Sequence, residues 1–177
     1  MLSVNFYPKM DYLDQQLQVL IDEAPQDGQT PQIVIAIAPA LKIIASQLRH
    51  SQYYILQTPD GRQRWRWVVT TLSHRTQPNL QKQVIYAFAS EEDAQTGSWV
   101  AQGTQALARP IPVTHILFQT IAIDSVDSLV FFETPGDLSQ GTEVSREKIQ
   151  LCIQAELKNT LGNPSKFQLP QIPNDLA

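Results

Sequence analysis

Cysteine occurs once in this sequence, at Cys152. A lone thiol closes no internal disulfide and cannot build a multi-cysteine zinc site. Charge is also scarce: Asp, Glu, Lys and Arg make up 17% of the residues, against roughly 25% in an average globular protein. The 13 basic residues are outnumbered by 17 acidic ones, for a net charge of −4, so attraction of the whole molecule to nucleic acid or an anionic membrane is not expected. None of the seven glycines completes G-x-G-x-x-G or G-x-x-x-x-G-K, which excludes both phosphate-cradling loops. G-x-S-x-G, H-E-x-x-H, the zinc-deaminase pattern and an EF-hand loop are absent too. The longest apolar run, Ile33 to Ile44, is interrupted by Pro39 and Lys42 and falls short of the roughly 20 residues that span a bilayer. Residues 1–8 carry neither a basic leader nor an apolar core. The expectation is a soluble, cytoplasmic protein with no signal peptide and no membrane partner.

Polarity comes instead from 22 glutamines, scattered rather than in tracts, so the chain is glutamine-rich without being low-complexity. A chain of 177 residues buries roughly 70% of its unfolded surface and needs no crosslink to hold it. The reading is one α+β domain over 1–162, followed by an extended, proline-containing tail over 163–177.

Periodicity sets the expected elements. A short strand over 2–6 precedes a helix from about Lys9, in which Leu13, Leu17, Leu20, Ile21 and Ala24 share a face, Asp11 is the cap and Pro25 the stop. The β-branched run 33–37 reads as a strand buried on both faces, and Pro39 as the first residue of a new helix; one kinked helix over 32–49 is the competing reading. Residues 53–88 form an antiparallel meander whose third strand is 83–88. Ser90 followed by Glu91, Glu92 and Asp93 resembles a capping box and starts a helix expected to run to about Leu107, where Pro110 and Pro112 break the chain. Residues 114–123 fit helix or strand. Residues 126–133 read as a strand, and the two segments could form a second hairpin around 124–127. Residues 135–137 form a turn, and a last helix runs from about Val144 to a Gly162 cap. The fold class is thus α+β: a mostly antiparallel sheet, built from the meander plus strands near 33–37 and 126–133, packed with about four helices.

The most informative stretch is the β-hairpin at 53–72. Pro59, Asp60 and Gly61 make the turn, with Gly61 supplying a positive φ. On the returning strand Arg62, Arg64 and Arg66 point one way, and Trp65 and Trp67 the other. Guanidiniums about 7 Å apart on one face of a strand suit bidentate contacts to carboxylates or phosphates. The three arginines are therefore the candidate partner-binding residues. The bland alternative has the indoles anchoring the core while the arginines pair with acids and keep the sheet in solution.

Other chemistry is thin. His50, His74 and His115 are far apart in sequence; His50 is expected near a helix C-terminus, His74 in a loop and His115 on a partly buried element. Cys152 falls on an apolar helix stripe with no base in view, which points to packing. Asp124, Asp127 and Glu133 could serve acid–base chemistry or a hard cation if they faced one cleft. No catalytic residue, metal site or cofactor is assigned, and an enzyme is disfavoured. The leading function is a non-catalytic protein-interaction or assembly module whose partner is another protein. The alternatives are a small-molecule binder or enzyme with a pocket between sheet and helices, and nucleic-acid binding by the hairpin.

Overall fold

The structure is a computed structural model that describes residues 7–97 and 99–161. The proposed strand over 2–6, the Gly162 cap and the tail over 163–177 lie outside the described residues.

Helix α1 (Tyr7–Glu23) buries Leu13, Leu17 and Leu20, at the spacing a 3.6-residue turn requires. It begins at Tyr7, so Asp11 lies within the helix rather than capping it. Residues 33–37 are not a strand. They belong to helix α2 (Thr30–Ser46), which runs through Pro39. Ile33, Val34, Ile37, Ala40, Leu41, Ile44 and Ala45 are all buried, and their spacing follows one helical face. Burial of that continuous stripe outweighs both the β propensity of its isoleucines and the proline. Pro31 sits in the first turn, where a missing N–H costs nothing. Asp27 caps the start: its Oδ1 accepts the N–H groups of Gln29 (2.9 Å) and Thr30 (2.7 Å), and its Oδ2 the Thr30 hydroxyl (2.6 Å). These bonds, the Thr30 hydroxyl first, hold the Asp27 carboxyl below the usual range.

The hairpin forms, with its returning arm split. β1 (Gln52–Pro59) pairs with the short β2 (Trp65–Trp67), and β3 (Thr70–Ser73) pairs with β4 (Gln81–Phe88). β1 and β4 meet directly only at Tyr54–Phe88 and Ile55–Ala87. They diverge beyond that, and the broken strand β2–β3 fills the wedge between them. Ser90 caps α3 (Glu91–Thr96) by accepting the Asp93 N–H at 3.2 Å. The helix stops at Gly97 instead of continuing to 107. The Trp99 indole lies back over Gly97, where a Cβ would stand 1.7 Å from its ring nitrogen. Residues 107–112, expected to be a break, are strand β5 (Leu107–Pro112), antiparallel to β1 on its outer side. Pro110 and Pro112 have the same parity, which suits an edge strand that bonds in one direction only.

The ambiguous segment is helix α4 (Val113–Ala122), so no second hairpin forms around 124–127. β6 (Ser128–Phe132) instead lies parallel to β4 and antiparallel to β7 (Thr142–Ser145), and α5 (Arg146–Leu161) closes the order. The fold is α+β, with five helices and a seven-stranded mixed sheet, mostly antiparallel, among the described residues.

Strand alternation divides the sheet's side chains between two clusters. Tyr53, Ile55, Ile85, Ala87, Leu129, Phe131 and Val144 join the main core with residues of α1, α2, α4 and α5. On the opposite face Leu56, Phe88 and Phe132 pack with Ala94 of α3, and Tyr86, Trp99 and Leu138 border them. Among the described residues no helix is long and apolar enough to cross a membrane.

Candidate functional site

Asp60 organises the hairpin tip. Its N–H donates to the Arg64 carbonyl (2.6 Å), and its own carbonyl accepts from Gln63 N–H (3.0 Å), closing a three-residue loop over 61–63. The left-handed residue that such a loop needs is Gln63, at φ 61°, and not Gly61 as the sequence suggested. The turn pivots two residues later than a Pro-Asp-Gly corner would, and it takes Arg62 out of the strand.

The Asp60 carboxylate also gathers the returning arm of the hairpin. Oδ1 accepts the N–H groups of Arg62 (2.8 Å) and Arg64 (2.9 Å). Oδ2 faces two Nε atoms, those of Arg66 at 3.1 Å and Arg64 at 3.3 Å. The Arg64 N–H leads the interactions that hold the Asp60 carboxyl below its ordinary value, and the two guanidiniums add to it. Two like charges are thereby fixed beside one another on a side chain only 15% exposed, while Arg64 and Arg66 remain 42% and 64% exposed.

The indoles are half-buried rather than fully enclosed. Trp67 packs against the edge of the main core, and the Arg109 guanidinium lies 5.2 Å from the ring centre of Trp65, a cation–π arrangement. The expected segregation of rings from charges fails at one point. Arg64, Arg66 and Trp67 line the same cleft of about 490 Å³, together with Val69, Ile123, Asp124 and Ser125. The reason is local: Arg64 precedes β2, the strand lasts three residues, and the chain leaves the ladder after the Val68 N–H donates to the Leu56 carbonyl. Alternation has no length over which to keep the two sets apart. The opposite wall is the α4–β6 connection. Arg146 holds it by donating to the carbonyls of Ile121 (3.3 Å) and Asp124 (3.1 Å) and pairing with the Asp124 carboxylate. A cation at those carbonyls stabilises the C-terminal end of α4.

Arg62, Arg64 and Arg66 therefore part company: the last two line the cleft, and Arg62 stands on the exposed tip. Val69, Ile123 and Ser125 were not singled out by sequence. Only the fold brings residues 123–125 to the hairpin, and nothing local to them signals it.

The remaining candidates do not converge on this cleft. His74 is exposed, with Nδ1 3.0 Å from the Thr76 hydroxyl. His115 is half-buried on α4; burial lowers its pKa, and Glu23 opposes that shift. Cys152 packs against the core with its Sγ 3.8 Å from the Ala40 carbonyl, and burial pushes its thiol pKa up. Asp127 accepts the Gln83 N–H at 2.7 Å. Glu133 forms a separate polar knot at the other end of β6. Its Oε1 accepts the Arg49 N–H (2.6 Å) and the Tyr53 hydroxyl (3.0 Å), and its Oε2 the Thr142 hydroxyl (3.0 Å). His50, instead of capping α2, sets Nε2 2.6 Å from the Glu133 carbonyl and turns its ring edge to Tyr53. Burial raises the Glu133 carboxyl pKa, but the Arg49 N–H and the Thr142 and Tyr53 hydroxyls together bring it below normal. Burial pushes the Tyr53 phenol well above its usual range. With every Glu133 oxygen engaged, this knot reads as a staple between the α2–β1 turn, β6 and β7. Among the described residues no group of three or more His, Cys, Asp or Glu is placed to hold a metal ion.

Comparison with family models, with curated proteins and with solved structures gives no match, so the reading of this site rests on its own geometry.

Proposed function

We propose that the protein is a non-catalytic interaction module that recognises an acidic segment of another protein through the hairpin tip and its cleft. The observation that carries this reading is the pair of guanidiniums, Arg64 and Arg66, held side by side by Asp60 on the wall of an open cleft. Four of the seven arginines, namely Arg62, Arg64, Arg66 and Arg109, belong to the hairpin or flank it, in a chain whose net charge is −4. That asymmetry orients an acidic partner toward one end of the molecule. The test is quantitative capture of partners by the intact chain and by a variant carrying Arg62→Glu, Arg64→Glu and Arg66→Glu. Loss of a partner in the variant, with the fold intact by circular dichroism, is the expected result; equal recovery by both chains defeats the proposal.

A small anionic ligand is a second reading, favoured by the cleft volume of about 490 Å³, which is within the range of small-molecule sites. An enzymatic version has less support, because neither His74 nor His115 lines the cleft.

A further inference from the structure

Helix α2 carries one charged side chain in 17 residues, Lys42, and that one is paired with Asp14 of α1. A helix apolar on every side belongs in an interior. α2 is covered on only part of its circumference. α1 packs along one flank, where Lys42 meets Asp14, and α5 along the other, where the Cys152 thiol meets the Ala40 carbonyl and Lys148 meets Gln47. Between the flanks an uncharged row faces water: Gln32, Ile35, Pro39, Ile43 and Ser46. Ile35 is 47% exposed and Ile43 41%; on α5, next to Cys152, Leu151 is 57% exposed.

The row is symmetric in its spacing. Its members stand at −7, −4, 0, +4 and +7 about Pro39, all within about 40° of the proline's direction at 100° per residue. Read either way it runs polar, isoleucine, proline, isoleucine, polar. An isologous contact asks for that pattern, because across a two-fold axis residue i meets j while j meets i. Antiparallel α2 helices with the axis at Pro39 bring Ile35 of each copy to Ile43 of the other, proline to proline, and Gln32 to Ser46 at the rim. No charge in the row is set against its own copy, and opposed helix dipoles favour the antiparallel order.

We infer that two copies of the chain associate through this face, α2 against α2 about a two-fold axis at Pro39. None of the five residues lines the hairpin cleft, so the inference is independent of the partner reading above. The apolar patch and its rim fall short of the roughly 20–30 residues per side of a standard stable interface, which makes the dimer weak, with a Kd on the order of 10–100 µM.

Sedimentation velocity of the full chain, from about 5 µM to about 1 mM, shows the mass rising from monomer to dimer. Ile35→Lys and Ile43→Glu each raise the Kd about tenfold or more, because each sets an ion against an isoleucine with nothing to pair it, while circular dichroism stays unchanged. Mixed in equal amounts, the two variants associate again, since the antiparallel register places the introduced charges beside each other. If either charge disturbs the helix, Ile35→Ala with Ile43→Ala removes the same apolar surface without loss of helix propensity and raises the Kd about fivefold or more.

A chain that stays monomeric at the highest concentration overturns the inference and leaves the face to another occupant, residues 163–177 or a different protein. A dimer that none of these variants weakens overturns it too, because the contact then lies elsewhere. Folded variants that stay apart when mixed overturn the axis at Pro39, since copies in parallel register would keep like positions together.

Discussion

Asp60 and Gln63 do unequal things within four residues. Asp60 collects two N–H groups and two guanidiniums, whereas Gln63 bears the backbone strain of the loop. A non-glycine residue in the left-handed region costs about 1–2 kcal/mol, and a glycine there loses about 0.4–1 kcal/mol through the freer unfolded chain. Gln63→Gly is therefore expected to raise stability by about 0.5–1 kcal/mol, measured as a shift of the urea midpoint at constant slope. The sequence announced a turn here but misplaced the strained position, because Gly61 is the residue that tolerates a positive φ most readily and the hydrogen-bond pattern chose another. Glu133 gives a prediction in pH. Its folded pKa lies below the unfolded value of about 4.3, so it contributes stability above that value and loses it as pH falls through the folded pKa. Glu133→Gln is expected to cost about 1 kcal/mol at neutral pH, a figure kept small because the group is partly open to water. The variant's denaturation midpoint should vary less with acid than that of the unaltered chain, and the two profiles should converge only once the pH has fallen below the depressed folded pKa of Glu133. Glu133 was visible in the sequence as a carboxylate after a strand. Its partners Arg49, Tyr53 and Thr142 were not, since two of the three are more than 75 residues away.

Helix α2 shows how a local reading fails at the level of an element. Four β-branched residues in five favoured a strand, yet the apolar positions from Ile33 to Ala45 are spaced for one helical face, and packing between α1 and α5 settled the matter. The tolerated proline leaves a mark that can be measured. Pro39 is exposed and inside the helix, so Pro39→Ala restores the bond to the Ile35 carbonyl and relieves the ring's clash. The expected gain is about 1–3 kcal/mol, read as a rise in Tm of several degrees at this chain length. The meander, by contrast, was legible: alternation, a turn signal and β-rich arms coincide within 36 residues. β5 was missed because two prolines in six residues argue against an interior strand, although at an edge they are compatible with pairing and keep the outer side unattractive to other chains. Pro110→Val with Pro112→Val is accordingly expected to increase self-association, measured by light scattering against concentration.

At the scale of the molecule, the α+β class and the mostly antiparallel sheet followed from composition and periodicity. The lateral order of the strands did not, because the parallel pairing of β4 with β6 depends on a helical α4 that the sequence left open. The cleft depends on the same pairing, which brings the α4–β6 connection up to the hairpin. Partner binding there is expected to weaken with added salt, chiefly through a slower association rate, since the cations are open to solvent and the rest of the molecule is acidic. The position of α5 has a consequence for synthesis. α2 is made early, directly after α1, and sheltered last: α5 packs along it and Arg146 then secures the end of α4, yet α5 begins 100 residues after α2 ends. At the usual pace of translation of about 5–20 residues per second, the apolar stripe of α2 waits for roughly 5–20 seconds before the ribosome delivers its cover. A nascent chain arrested before Arg146 will present that stripe to chaperones, and one released after α5 will not.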